Sequence, residues 1–238
     1  MAKVIGIMGE SGSGKTTSLR NLDPATTFYI DCDKKGLSWK GWRNQYSVSN
    51  GNYIKTDDKN VVMQVLAKLN CDNGTLVAYQ KKHGDTPKIM DEKAQERARA
   101  VKTVVIDTLN GIMVADEVER MKEKGYDKWV DLAQCVWNLL DYVNTMRDDL
   151  TVIILCHSQT QKEDDGYTFT RIKTSGKKLD KLNVESKLTT VLYATANNGE
   201  YKFHTHASFS TAKTPMGAID EDEIPNDIMI VIKALEDY

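Results

Sequence analysis

The chain has 238 residues, which at about 150 residues per domain makes one large domain or two small ones. Its 32 basic and 34 acidic residues give a net charge of −2, which excludes a globally basic nucleic-acid binder. With 40% hydrophobic residues it can bury a core, and no apolar run approaches the roughly 20 residues of a membrane-spanning helix.

The opening Met1-Ala2-Lys3-Val4-Ile5-Gly6-Ile7 lacks the length and cleavage region of a signal peptide, so a soluble, cytoplasmic protein is expected. Residues 3–8 read as a short buried strand that stops at Gly9. Gly9 to Thr16 is a glycine-rich loop, and Thr16 to Asn21 is expected to open a helix ended by Asp23-Pro24. Thr27-Phe28-Tyr29-Ile30 predicts a second strand that runs into Asp31-Cys32-Asp33. Residues 34–52 show no clean periodicity. Asp57 or Asp58 can cap a helix whose apolar face is Val61, Val62, Val65, Leu66 and Leu69.

Residues 71–90 read as an exposed excursion and Asp91 to Ala100 as a charged helix. A hydrophobic strand over Thr103 to Ile106 ends at Asp107. Two helices follow, Ile112 to Lys124 and Lys128 to Arg147, the second bearing Leu132, Val136, Leu139, Leu140 and Val143 at helical spacing. Thr151 to Cys156 is a fully apolar strand. Polar residues run on to about 180, and strands around 188–195 and 201–206 precede a final helix near 226–236. Apolar strands alternating with helices imply a parallel sheet covered on both faces, with ligands at the carboxyl ends of its strands. The acidic residues and His157 fall at those ends. The four cysteines, Cys32, Cys71, Cys135 and Cys156, form no C-x-x-C pair and read as reduced thiols. His204 and His206 could share one strand face and hold a metal, although no Cys or third His lies near them.

Gly9-Glu10-Ser11-Gly12-Ser13-Gly14-Lys15-Thr16 fits the phosphate-loop pattern G-x-x-x-x-G-K-[ST] at every fixed position and lies between a strand and a helix. Glycines let the backbone wrap a phosphate so that N–H groups point inward. Lys15 is placed to reach the β- and γ-phosphates and the Thr16 hydroxyl to ligate Mg²⁺. These eight residues and Thr17 are the expected ATP-binding set. Magnesium also needs a carboxylate, and Asp107, at the end of a buried strand, suits that role beside Thr16. Asp31 and Asp33 are alternatives for orienting or deprotonating the attacking water, and His157 could contact the γ-phosphate.

This order of motifs resembles the RecA-type ATPase core: phosphate loop, acid after the next strand, hydrophobic-strand Asp, polar sensor after an apolar strand. Within that group it is most similar to the compact bacteriophage RecA-like ATPases, the Sak-type recombination or annealing proteins. The resemblance implies a single RecA-like domain over 1–238, an α/β fold with a mostly parallel, doubly wound sheet and a C-terminal β-hairpin extension. It implies that Phe28 to Asp33 corresponds to the segment ending in the catalytic acid, with Asp33 at that place, one methylene shorter than the usual glutamate. Val104 to Leu109 resembles the metal-binding strand, and Leu155 to Gln159 the sensor strand, with His157 in place of glutamine. Ala212-Lys213-Thr214-Pro215 is similar to the region that reaches a neighbouring subunit's ATP. Lys213 is therefore expected to project and act in trans, within a homo-oligomer with active sites at its interfaces. Only about eight residues precede the phosphate loop, so a long RecA-style filament is not expected.

The segment after the sensor strand lines DNA in the resembled proteins. Here residues 171–187 carry six basic residues, among them Arg171, Lys173, Lys177 and Lys178, against Asp180 and Glu185, a local charge of +4. With Gly166, Tyr167, Phe169 and Gly176 nearby, it suits a loop that stacks bases and contacts a single-stranded DNA backbone. A solvated hairpin with ordinary lysines fits the same residues. The leading expectation is an ATPase acting on single-stranded DNA, stimulated by it, in phage recombination, annealing or replication. A phosphate-loop small-molecule kinase and a DNA-binding protein that holds ATP without turnover are the alternatives.

Overall fold

The computed structural model describes residues 1–125, 127–162, 168–174 and 183–236. Among these residues nine strands join in one sheet. Eight lie side by side in the order β3 (Tyr53–Lys55), β2 (Thr27–Asp31), β4 (Thr103–Asp107), β5 (Thr151–Lys162), β1 (Lys3–Gly9), β7 (Thr190–Asn197), β8 (Glu200–His204) and β9 (Glu223–Pro225). The first six are parallel to their neighbours, and β8 turns antiparallel on β7 as a hairpin. The expected mostly parallel α/β sheet with a C-terminal hairpin is the observed one. The strand after the phosphate loop does not adjoin β1. β5 is inserted between β1 and β4, so His157 pairs in register with Gly9 and comes to lie between the loop and Asp107.

The apolar strands have residues for both faces. In β1, Val4 and Met8 pack into one core and Ile5 and Ile7 into the other. The first core is roofed by α2 (Lys59–Leu69), α5 (Leu109–Glu119) and α6 (Asp127–Thr145). The second is covered by Leu19, Leu22, Leu37 and Tyr46 from irregular chain, and by Ile228 and Val231 of α7 (Ile228–Ala234). A short α1 (Trp42–Gln45) lies within the 34–52 stretch. Asp58 caps α2, its carboxylate accepting from Asn60 and Val61 N–H at 2.7 and 3.3 Å.

Three expectations are corrected. The segment after the phosphate loop forms only a 3-10 turn over Thr17–Leu19, with one helical i−4 bond, Ser18 N–H to Gly14 O. Seven residues separate Lys15 from Asp23, too few to repay helix nucleation, and the buried Leu19 and Leu22 draw the chain onto the sheet instead. Residues 71–90 contain a full helix, α3 (Asn73–His83), capped by Asp72 and ended at Gly84 with φ 87°. It precedes α4 (Glu92–Ala100) and buries only Leu76 and Gln80, so it has almost no apolar stripe to betray it. Finally, β5 does not stop at Cys156 but runs on to Lys162 and pairs antiparallel with β6 (Thr168–Ile172). The polar stretch expected to run on to about 180 is thus in part a hairpin. Lys177 and Lys178 lie outside the described residues.

Candidate functional site

At the carboxyl edge of the sheet, a cleft of about 370 Å³ is lined by the phosphate loop, Asp107, Thr108, His157, Lys35, Ser38 and Tyr201. Gly12 and Gly14 have φ of 83° and 87°, the left-handed region that glycine alone enters without strain. A side chain on Gly14 would also collide with the Tyr201 ring, whose Cδ1 lies 2.7 Å from where its Cβ would be. Lys15 is buried and its ammonium donates back to the carbonyls of Gly9 and Glu10 at 2.8 and 2.7 Å, which holds the cation across the mouth of the loop. Burial pushes its pKa below the ordinary lysine value, partly offset by the charge of Asp107.

Asp107 is buried. Its Oδ2 accepts from the Tyr29 hydroxyl at 2.6 Å and the Thr16 hydroxyl at 3.0 Å. Its Oδ1 is buried without a partner among the described residues, and burial outweighs the Tyr29 bond and the Lys35 charge to raise its pKa. A buried carboxylate oxygen left unsatisfied costs about 1–3 kcal/mol or more. Beside a hydroxyl on a phosphate loop, it is the donor set a hard cation takes. The residues present therefore fit Mg²⁺, with Thr16 and Asp107 as its protein ligands and a bound nucleotide's phosphates completing the set. Thr108, next in sequence, caps α5 by accepting from Gly111 N–H at 3.1 Å.

The two acids after β2 separate. Asp31 is buried, and its Oδ2 accepts from Gly36 N–H at 2.8 Å and Tyr53 hydroxyl at 2.6 Å. It pins the 31–36 turn and does not reach the cleft. Asp33 is partly exposed, its Oδ1 accepting from the Thr108 hydroxyl at 2.9 Å and its Oδ2 from the Lys35 ammonium at 2.6 Å. Burial raises its carboxyl, but the Lys35 bond and charge and the Thr108 bond outweigh it and hold the pKa below the ordinary carboxylate value. Asp33 thus borders the cleft through two residues that line it.

His157 lines the cleft, and burial together with the Lys15 charge keeps its imidazole below the ordinary histidine value, hence neutral at pH 7. Its backbone is tied on both sides. Its N–H donates to Asn110 Oδ1 at 2.7 Å, and its carbonyl accepts from Lys173 N–H at 2.7 Å. Asn110 Nδ2 in turn donates to the Lys173 carbonyl at 2.8 Å. Arg171 lies within β6 and Lys173 just beyond it, with an exposed side chain. Lys213 does not project. Its backbone exchanges two hydrogen bonds of 2.8 Å with Val191, and its ammonium donates to the Glu185 carbonyl at 2.9 Å. The chain just before Pro215 pairs with β7 through Lys213 rather than leaving the surface. His204 and His206 part company. The first shares a hydrogen bond with Thr195 and stacks on Tyr193, and the second sits 3.3 Å from Asp222.

Sequence reasoning missed Lys35, Ser38, Thr108, Asn110 and Tyr201. Thr108 carried a signal, a hydroxyl directly after the strand-end Asp. Lys35, Ser38 and Tyr201 reach the cleft from turns and a distant hairpin, Asn110 braces His157 from a helix, and nothing in their spacing marks them.

A glycine-wrapped phosphate loop, a strand-end carboxylate bonded to its threonine and an apolar strand inserted between them define a P-loop ATPase domain. A family profile described as an AAA domain matches residues 1–216, and the chain belongs to that family. No protein of curated function matches it. Among solved structures it is similar to the pCW3 conjugation coupling protein TcpA in its monomer form with ATPγS. The TM-score is 0.44 at 12% identity, covering 99% of this chain and 64% of that one. The chain thus spans less than two thirds of that protein's length. Among the described residues no helix is long and apolar enough to cross a membrane.

Proposed function

We propose that this chain binds ATP with Mg²⁺, hydrolyses it, and couples turnover to single-stranded DNA, as in the phage RecA-like recombination and annealing proteins it resembles. The buried, half-satisfied Asp107 bonded to Thr16 carries the nucleotide part of this reading. Lys15 and the loop amides would hold the phosphates, and Mg²⁺, held by Thr16 and Asp107, would neutralise phosphate charge. Asp33 orients the attacking water. The water oxygen bonds the γ-phosphorus while the bond to the bridging oxygen of ADP breaks, and the water's proton passes to the carboxylate and on to solvent.

The coupling part rests on Asn110. One side chain bridges the backbone of the sensor His157 and that of Lys173, at the base of the basic segment. A shift at the γ-phosphate therefore has a two-bond route to the element that would hold DNA. Phosphate release measured with and without single-stranded DNA tests the reading. Stimulation by DNA is the expected result. Turnover only with a small hydroxyl acceptor would make the protein a kinase, and ATP binding with no release in either condition would make it a nucleotide-held binding protein.

A further inference from the structure

Lys35 stands in the cleft with no role assigned by the phosphate-loop pattern. Three observations place it there. It lines the same cavity as Lys15, Asp107 and His157. Its charge reaches both Lys15 and Asp107, adding to the burial that lowers the Lys15 pKa and opposing the burial that raises that of Asp107. It also sits at the end of a turn that the fold holds firmly, because the buried Asp31 carboxylate ties Gly36 N–H to Tyr53 hydroxyl. The backbone of Lys35 is thus fixed at the cleft rim while half of its side chain remains exposed. A four-methylene stem on a fixed base can swing its ammonium across a cleft without any backbone change.

Its present partner is the other half of the argument. The Lys35 ammonium rests 2.6 Å from Asp33 Oδ2. With Oδ2 paired to that cation and Oδ1 accepting from Thr108, each Asp33 oxygen has one acceptor position taken and its charge offset, which weakens it as a base for water. An incoming γ-phosphate brings more negative charge than one carboxylate does, and it would compete for the same ammonium.

We propose that Lys35 is the second phosphate-contacting cation of this site, supplied in cis, and that its transfer from Asp33 to the γ-phosphate frees Asp33 Oδ2 to take the attacking water. The exchange is an ion-pair swap in which no covalent bond changes. It makes Asp33 available only when a triphosphate is bound, which guards against idle occupation of the base. It also removes the need for a lysine from a neighbouring subunit, in keeping with the anchoring of Lys213 to Glu185 and Val191. The inference rests on the ATPase reading above.

The test compares affinities for the ATP analogue ATPγS and for ADP, each with Mg²⁺, in wild type, Lys35→Met, Lys35→Arg and Lys213→Ala. A contact made only with the γ-phosphate appears in the ratio of the two. Lys35→Met is expected to lose about tenfold or more of the preference for ATPγS, the scale of a hydrogen bond to a charged group. Its ADP affinity should hold within about twofold, Lys35→Arg should restore the preference, and Lys213→Ala should leave it unchanged. Phosphate release per chain by the wild type should not depend on protein concentration. An unchanged ratio in Lys35→Met, an equal loss of ADP affinity, or a ratio lost in Lys213→Ala instead would each overturn the proposal. Wild type that binds neither nucleotide would refute the ATPase reading, and this inference would fall with it.

Discussion

Two aspartates two positions apart do different work because one side chain points into the fold and the other toward the cleft. Asp31 accepts from a backbone amide and a buried phenol, so its loss should unfold rather than inactivate. Asp31→Ala is expected to lower stability by about 1–3 kcal/mol, the cost of leaving the Tyr53 hydroxyl and Gly36 amide unsatisfied. Asp33→Asn should melt as wild type does and bind ATP, yet hydrolyse it about 100-fold more slowly, the scale of losing a general base. Thermal melts and phosphate release on both variants decide the assignment, and exchanged phenotypes would exchange the roles. Gly14 offers a stricter local test. An alanine there must adopt φ 87° and meet the Tyr201 ring at 2.7 Å, so Gly14→Ala is expected to weaken ATP binding at least about tenfold through loop strain of 1–3 kcal/mol. Titration calorimetry checks it, and wild-type affinity would show that the loop can rearrange freely.

Among the elements, α3 shows how a helix can form with little help from its own apolar pattern. Its start depends on Asp72, which accepts from Thr75 N–H at 3.0 Å and from the Tyr142 hydroxyl of α6 at 3.1 Å. Burial pushes the Asp72 carboxyl up, but the Thr75 and Tyr142 bonds outweigh it and leave the pKa below the ordinary value. A carboxyl whose pKa is lower in the folded than in the unfolded state stabilises the fold above its unfolded value and loses that contribution as pH falls through the folded one. Asp72→Ala is therefore expected to cost about 1 kcal/mol at pH 7. That difference should shrink below about pH 4. Denaturant unfolding at pH 7 and pH 3 measures both, and a gap that stays constant would mean the cap works without its charge. Strand β5 shows the opposite case. Its apolar half is bound on both sides by parallel strands, while its polar half leaves the main sheet and pairs with β6.

Across the whole molecule, charge is segregated although the total is −2. The basic segment 171–187 carries +4, while the last nineteen residues hold seven acids against Lys233. The acidic end runs through β9, at the edge of the sheet beyond β8, and into α7, which packs with Leu19 and Leu22 over the second core. If the basic segment holds DNA, the double charge reversal Lys177→Glu and Lys178→Glu should weaken single-strand binding and flatten its salt dependence by about 1.4 units of slope, since each neutralised phosphate contributes about 0.7. Equal affinity and slope in that variant would move the DNA site elsewhere. ATP affinity measured alongside should stay the same if the basic segment serves DNA and the phosphate loop alone serves the nucleotide.

Local chemistry was enough to reveal the phosphate loop, the strand-end Asp107 and the order of strands and most helices. These depend on short-range rules: glycine for positive φ, a lysine and threonine at set offsets from it, and apolar runs long enough for a buried strand. The tertiary structure decided everything that depends on which turn faces which. Asp31 and Asp33 are equivalent as letters in one segment, and only the packing of Tyr53 from the neighbouring strand buries one of them. Lys213 is a polar-loop lysine in sequence and a pinned bridge residue in space, because Val191 offered its backbone an antiparallel partner. Lys35 and Tyr201 lie 166 positions apart and share a cleft solely because β8 folds back beside β1's loop while the 31–36 turn leans in from the other side. Spacing along a chain carries no record of such meetings, since they are set by the sheet order and by long-range burial.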